Sequence, residues 1–211
     1  DEGHAVGRIK DGDVVFTFNF RRDRMNQITA ALAGSVPSIV ERAQDLKLVK
    51  MMFDENEAPG ETLVFPPKPV ENNLGQWLAQ LGLRQFRIAE TEKYNHVTRF
   101  FNGGSSMDAY DGEDRVLVPS PKVATYDLKP EMSGQEVSDK LVAAINNNQH
   151  DMYVVNFAQP DMVAHTGNLE AGIKAVAQVS KNIGEVVAAA RAQGLNVIIT
   201  ADHGNVDQMR E

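Results

Sequence analysis

The chain has 211 residues, 42 % of them apolar and 24 % charged, enough for a sizeable core in one or two domains. Its formal net charge of −8 disfavours general binding to nucleic acid or anionic membrane, yet leaves room for a local basic site for a phosphorylated metabolite. The absence of cysteine excludes disulfides, thiolate catalysis and zinc–cysteine sites, and no apolar run approaches the ~20 residues that span a bilayer. The opening Asp-Glu-Gly-His does not have the form of a signal peptide.

In chain order, Val14 to Phe20 is β-branched and aromatic and predicts a buried strand. Met25 to Leu32 predicts a helix ending near Gly34, and Leu46 to Phe53 a second strand. Phe65-Pro66-Pro67-Lys68-Pro69 removes backbone donors and stiffens the chain, so it reads equally as an interdomain linker or an ordinary loop. Glu71 to Leu81 predicts a helix with Leu74, Trp77, Leu78 and Leu81 on one face and Gly82 as its C-terminal stop. Arg84 to Ala89 predicts a strand, and Val97 to Phe101 is another candidate. Ser133-Gly134-Gln135-Glu136 has the form of a capping box and opens a helix reaching about Asn147. Tyr153 to Phe157 predicts a short buried strand, Leu169 to Gln193 a long helix closed by Gly194, and Leu195 to Thr200 a further buried strand. Short strands that are apolar throughout, alternating with helices, imply a parallel sheet covered by helices.

In such sheets ligands gather beyond the carboxyl ends of the strands. Two segments fall there. Asp161 and His165, four apart, can be aimed at one point by a single helical turn; Asp202 and His203 are adjacent and tend to diverge. Two Asp and two His suit a borderline or hard divalent metal such as Mn²⁺ or Zn²⁺. Either pair alone is more often a surface hydrogen bond or a cap; the two together make metal binding an equal alternative. Arg21, Arg22 and Arg24 could form an anion clamp or a solvated turn. In Glu90 to His96, Lys93 could contact a phosphate and His96 a metal, or the stretch could be a polar connection; spacing does not choose.

FNFRRDRMNQI resembles the substrate-binding FNFR-x-DR motif of the cofactor-independent (2,3-bisphosphoglycerate-independent) phosphoglycerate mutases. RIAETEKYNHVTRFFNGG, NFAQPDMVAHTGN and TADHGN are similar to three further motifs of that family, in the same order and spacing. The resemblance covers essentially the whole chain. It implies an α/β fold: part of an alkaline phosphatase-like, doubly wound sheet domain (residues 70–211), preceded through a linker (66–69) by the C-terminal part of an inserted α/β transferase domain (1–65).

The implied reaction interconverts 3-phosphoglycerate and 2-phosphoglycerate in glycolysis and gluconeogenesis through a phosphoserine, with two Mn²⁺ or other divalent ions and without 2,3-bisphosphoglycerate. Carried over by motif, Asp161 and His165 ligate one metal and Asp202 and His203 the other. Arg21 and Arg24 hold the substrate, and Lys93 reaches the phosphoryl group. Arg22 occupies a variable motif position, and His96 receives no role. The family's nucleophilic serine, another metal-ligating Asp and a further His are expected outside this chain. The chain alone is therefore expected to bind metal weakly and to be inactive.

Ala164 stands where the family usually has Gly, which requires negative φ and some space there. The resemblance also implies a cytoplasmic monomer acting on a small molecule, with no nucleic acid and no membrane partner. A related metal-dependent phosphohydrolase or phosphopentomutase, or a non-catalytic fragment or pseudoenzyme, are the competing readings.

Overall fold

The structure is a computed structural model that describes residues 7–21, 25–33, 45–52, 61–66, 68, 70–104 and 108–209. The chain divides into two compact units, residues 1–68 and 69–211.

The first unit holds a parallel sheet of β1 (Val14–Thr17), β2 (Lys47–Met52) and β3 (Thr62–Phe65), in that order, with helix α1 (Asn26–Ala33) between β1 and β2. The strand expected from Val14 to Phe20 stops at Thr17, where its ladder with β2 ends at the Thr17–Lys50 pair. Beyond it the Phe16, Phe18, Phe20 and Phe65 rings follow one another at centroid separations of 6.1, 6.3 and 5.9 Å. Lys50, only 1 % exposed, is buried in β2 against Glu61 at 2.7 Å, which offsets the cost of burying its charge. The strand β3 was not anticipated from the sequence.

The second unit is built on β4 (Gln85–Glu90), flanked by β5 (Glu113–Val118) and β6 (Met152–Asn156), all parallel, in the order β5-β4-β6. Every residue of β4 is buried. On one face Phe86 and Ile88 pack with Val118 of β5, with Val137, Leu141 and Ile145 of α4 (Gly134–Asn147), and with Ala190 of α6 (Leu169–Ala192). Each large side chain sealed in this way stabilises the fold by roughly 1.5–3 kcal/mol. Alternation along β4 turns Gln85 and Arg87 to the other face. Arg87 is fully buried, ion-paired with Glu113 at 3.3 Å, and donates to Asn102 Oδ1 (2.8 Å), Val97 O (3.1 Å) and Gln85 Oε1 (2.7 Å).

Above Arg87 lies α2 (Leu74–Gln80), capped by Asn73, whose side chain accepts from the Gln76 N–H. The helix forms, but its buried residue is Gly75, while Leu74, Trp77 and Leu81 are half exposed. A Cβ on Gly75 would lie 2.5 Å from Arg87 Nη2 and 2.8 Å from Asn102 Oδ1. The helix therefore turns its small residue, not its apolar stripe, toward the polar face of the sheet.

Three other expectations change. Val97 to Phe101 is not a strand: α3 (Tyr94–Val97) leads into turns in which the Thr98 hydroxyl donates to Tyr94 O (2.8 Å) and the Phe100 N–H to Asn95 O (2.8 Å). The capping box before α4 does not close, because the Ser133 hydroxyl donates instead to Pro119 O (2.7 Å) and Glu136 pairs with Lys140 (2.8 Å). Leu195 to Thr200 has no strand ladder. Gly194 adopts φ 73° and lets the Leu195 N–H return to Ala190 O (2.9 Å), closing α6 in the manner of a left-handed cap. Residues 197–200 then lie across a cavity of about 620 Å³ from β6 rather than against it. With no adjacent strand to bond, Ile198 is 91 % exposed.

Candidate functional site

The carboxyl ends of β4 and β6 lead into one polar cluster. After β4 the chain enters a 3-10 turn, Thr91–Lys93, that delivers Lys93. After β6 it enters α5 (Gln159–Ala164), started by Pro160 and carrying Asp161 in its first turn. Lys93, 5 % exposed, donates a short ionic hydrogen bond to Asp161 Oδ2. The other oxygen, Asp161 Oδ1, accepts from Asn205 Nδ2 at 2.7 Å and lies 3.2 Å from His165 Nε2 and 3.9 Å from His203 Nε2. His203 Nε2 is also 3.7 Å from Asp202 Oδ1.

Asp161 and His165 thus meet across one turn of α5. Asp202 and His203 do not diverge: both belong to the same cluster, and His203 faces Asp161. Burial alone would raise the Asp161 carboxyl, but the hydrogen bonds from Lys93 and Asn205 and the nearby positive charge outweigh it, so its pKa is lowered. Lys93, Asp161, Asp202, His203 and Asn205 line the polar mouth of the cavity, whose walls include Val155, Ile183 and Val197. His165, Asp202 and His203 are substantially exposed, unlike Lys93.

His96 stands beside this cluster with Nδ1 buried and unpartnered and its ring edge-on to Phe100 at 5.3 Å. Burial, then the Lys93 charge, lower its pKa against the opposing pull of Asp202 and Asp161, which favours the neutral imidazole. Ala164 is helical with negative φ and 8 % exposed, so the methyl group is accommodated. Arg21 lies in the first unit, where its N–H donates to Asn19 Oδ1 (2.8 Å); Arg22 and Arg24 fall outside the described residues.

Among the described residues no three Asp, Glu or His side chains are already disposed as a ligand set. The chemistry of the donors nevertheless fits a divalent ion: two carboxylates and two imidazoles within one cluster, three of the four exposed at the surface.

Sequence reasoning did not single out Asn205, although it closes the TADHGN motif, nor the supports behind Lys93. Glu90, the last residue of β4, is fully buried; its Oε2 accepts from the Ser120 hydroxyl (3.2 Å) and its Oε1 has no partner. Burial pushes its carboxyl up to about 7, against the lowering effect of hydrogen bonds from the Ser133 backbone and the Ser120 side chain. The Ser120 N–H donates to Thr91 Oγ1 (3.1 Å), and the Tyr126 hydroxyl to Glu92 Oε1 (2.7 Å).

A match to the metalloenzyme superfamily spans residues 13–211. The chain is 50 % identical over 207 residues to the 2,3-bisphosphoglycerate-independent phosphoglycerate mutase of Rhodopseudomonas palustris, covering 96 % of this chain and 41 % of that protein. It is 52 % identical over 203 residues to the corresponding mutase of Bacteroides fragilis, covering 95 % of this chain and 40 % of that protein. The crystal structure of Leishmania mexicana phosphoglycerate mutase at low cobalt concentration superposes with a TM-score of 0.77 at 30 % identity, over 96 % of this chain and 37 % of that one. The chain therefore spans about two-fifths of the length of the relatives it matches.

Proposed function

Since the chain belongs to the metalloenzyme superfamily, we propose that it carries much of the metal- and phosphate-handling centre of a 2,3-bisphosphoglycerate-independent phosphoglycerate mutase. The reaction is the interconversion of 3-phosphoglycerate and 2-phosphoglycerate. The observation that carries this reading is the convergence of Lys93, Asp161, His165, Asp202 and His203 in one cluster beyond the carboxyl ends of β4 and β6. The half-identical relatives of that name support it.

In this reading Asp161, His165, Asp202 and His203 hold divalent ions, Mn²⁺ first; the Leishmania structure at low cobalt concentration supports cobalt as an alternative. Bound ions supply Lewis-acid stabilisation of the transferred phosphoryl charge. The protein's own part is electrostatic and positional. Lys93, buried to the ammonium and pinned by Asp161, presents a fixed positive charge with little reorganisation left to perform. Asn205 holds Asp161 Oδ1 while Lys93 holds Oδ2, so the carboxylate is fixed from both sides. Arg21 and Arg24 bind the glycerate carboxylate or phosphate bidentately.

In this reading the phosphoryl group passes through a phosphoserine, and because the chain spans about two-fifths of its relatives' length, turnover by these 211 residues alone is expected to be low. A glycolytic place, a cytoplasmic location and a monomeric state follow from the same reading. Among the described residues no helix is long and apolar enough to cross a membrane.

The deciding assay measures 3- to 2-phosphoglycerate conversion with Mn²⁺ and without 2,3-bisphosphoglycerate. It uses this chain and the longer polypeptide that contains it. Chelator-sensitive turnover by the longer protein, lost in Asp161→Asn, supports the proposal. A longer protein that binds Mn²⁺ but hydrolyses phosphate esters or moves phosphate on a pentose instead overturns the substrate assignment.

A further inference from the structure

We propose that Glu90 is a positioning residue for Lys93, locking the turn between β4 and the site through Ser120. The inference rests on the reading of Lys93 as the phosphate-facing cation, but its geometry stands without any substrate.

Four successive residues, Glu90 to Lys93, are each held by a different group. Glu90 Oε2 accepts from the Ser120 hydroxyl at 3.2 Å. Thr91 Oγ1 accepts from the Ser120 N–H at 3.1 Å, and Glu92 Oε1 from the Tyr126 hydroxyl at 2.7 Å. Lys93 ends the series on Asp161. Ser120 is thus bonded to two consecutive residues of the turn, one through its side chain and one through its backbone. Ser133 is itself anchored, its hydroxyl donating to Pro119 O at 2.7 Å, next to Ser120 in sequence. The diverted Ser133 hydroxyl, which leaves the start of α4 without its expected cap, belongs to this arrangement.

Glu90 is the one member with no exposure, and its Oε1 is a buried acceptor with nothing donating to it. An ionised carboxylate left in that state is costlier than a neutral acid. The charged and titratable groups around it are Lys129 and Tyr126 from the stretch after β5 and Glu92 from its own turn. Lys129 favours the ionised form and Glu92 opposes it, while burial dominates both and raises the carboxyl to about 7. Below about pH 7 the neutral form predominates, and Glu90 then acts as a hydrogen-bonding block that adds no second negative charge to compete with Asp161 for the ammonium.

The test observes the Lys93 ammonium directly by lysine-selective ¹⁵N NMR of the 211-residue chain, the signal being assigned with Lys93→Arg. The wild type is expected to show a slowly exchanging Lys93 ammonium. Glu90→Gln, which keeps the block and removes its charge, should retain that signal and its exchange rate. Glu90→Ala should lose it while the far-ultraviolet dichroism of the sheet and helices persists. If Glu90→Ala does not fold, Ser120→Ala, which removes one hydroxyl, must accelerate the exchange of Lys93. An unchanged Lys93 signal in folded Glu90→Ala, or in Ser120→Ala where Glu90→Ala does not fold, overturns the proposal. Because no phosphoglycerate is present, failure here is distinct from failure of the substrate assignment, which the turnover assay decides.

Discussion

The carboxyl of Glu90 makes stability depend on pH in a direction opposite to that of most acidic residues. Its pKa in the folded chain, about 7, lies above the ordinary 4.5, so the native state holds the proton more tightly than the unfolded one. Its contribution is fully present below 4.5 and is lost as pH climbs to about 7, a total on the order of 3 kcal/mol. Urea unfolding at pH 5 and pH 8 should therefore show Glu90→Gln gaining relative to wild type at the higher pH; equal differences at both would refute this. Asp161 runs the other way: its lowered pKa gives stability that is present above the ordinary 3.8 and lost as pH falls. Asn205 acts on the same carboxylate, so Asn205→Ala should weaken Mn²⁺ binding by about 10- to 100-fold with little change in fold, as read by calorimetry.

Elements obey packing before they obey their own apolar stripes. A helix was legible from Glu71 to Leu81 with its stop at Gly82, and α2 forms over Leu74–Gln80, but its orientation was not legible, because the sequence does not display the buried guanidinium that Gly75 must clear. Gly75→Ala should cost about 1–3 kcal/mol by overpacking against Arg87 and Asn102, measurable by chemical denaturation. A null effect would mean that α2 lifts away freely. The strand β5 escaped notice because it opens with Glu113, Asp114 and Arg115, which pair with Arg87 and Arg84 or remain at the edge, hiding the short Val116–Val118 run. Residues 195–200 erred the other way: six residues of strand composition form no strand, since a ladder needs a neighbour that composition cannot show. The site was more legible than the elements around it. Asp161 with His165 and Asp202 with His203 stood out by type and position, whereas Asn205, Ser120 and Glu90 take their roles from contacts 29 to 44 residues away along the chain.

Across the molecule, the face that lacks its ladder shapes behaviour in solution. Val197, Ile198 and Ile199 are exposed at 40, 91 and 64 %, facing solvent beside an open edge of β6. Such a surface invites edge-to-edge association. The apparent molar mass of the 211-residue chain by light scattering should rise with its concentration, and Ile198→Lys should suppress that rise; a wild-type molar mass independent of concentration would contradict it. The order of strands in the second unit carries a further consequence, for synthesis. The middle strand, β4, is bonded to a partner 28 residues downstream and to another 67 residues downstream (Gln85 with Glu113 and with Met152). A ribosome delivers residues one at a time, so β4 waits for roughly a third of the chain to emerge before its second edge is covered. Its Phe86 and Ile88, buried in the folded chain, stay exposed in the meantime, and slowing translation between Val118 and Asn156 would prolong that exposure and the time during which chaperones compete with folding.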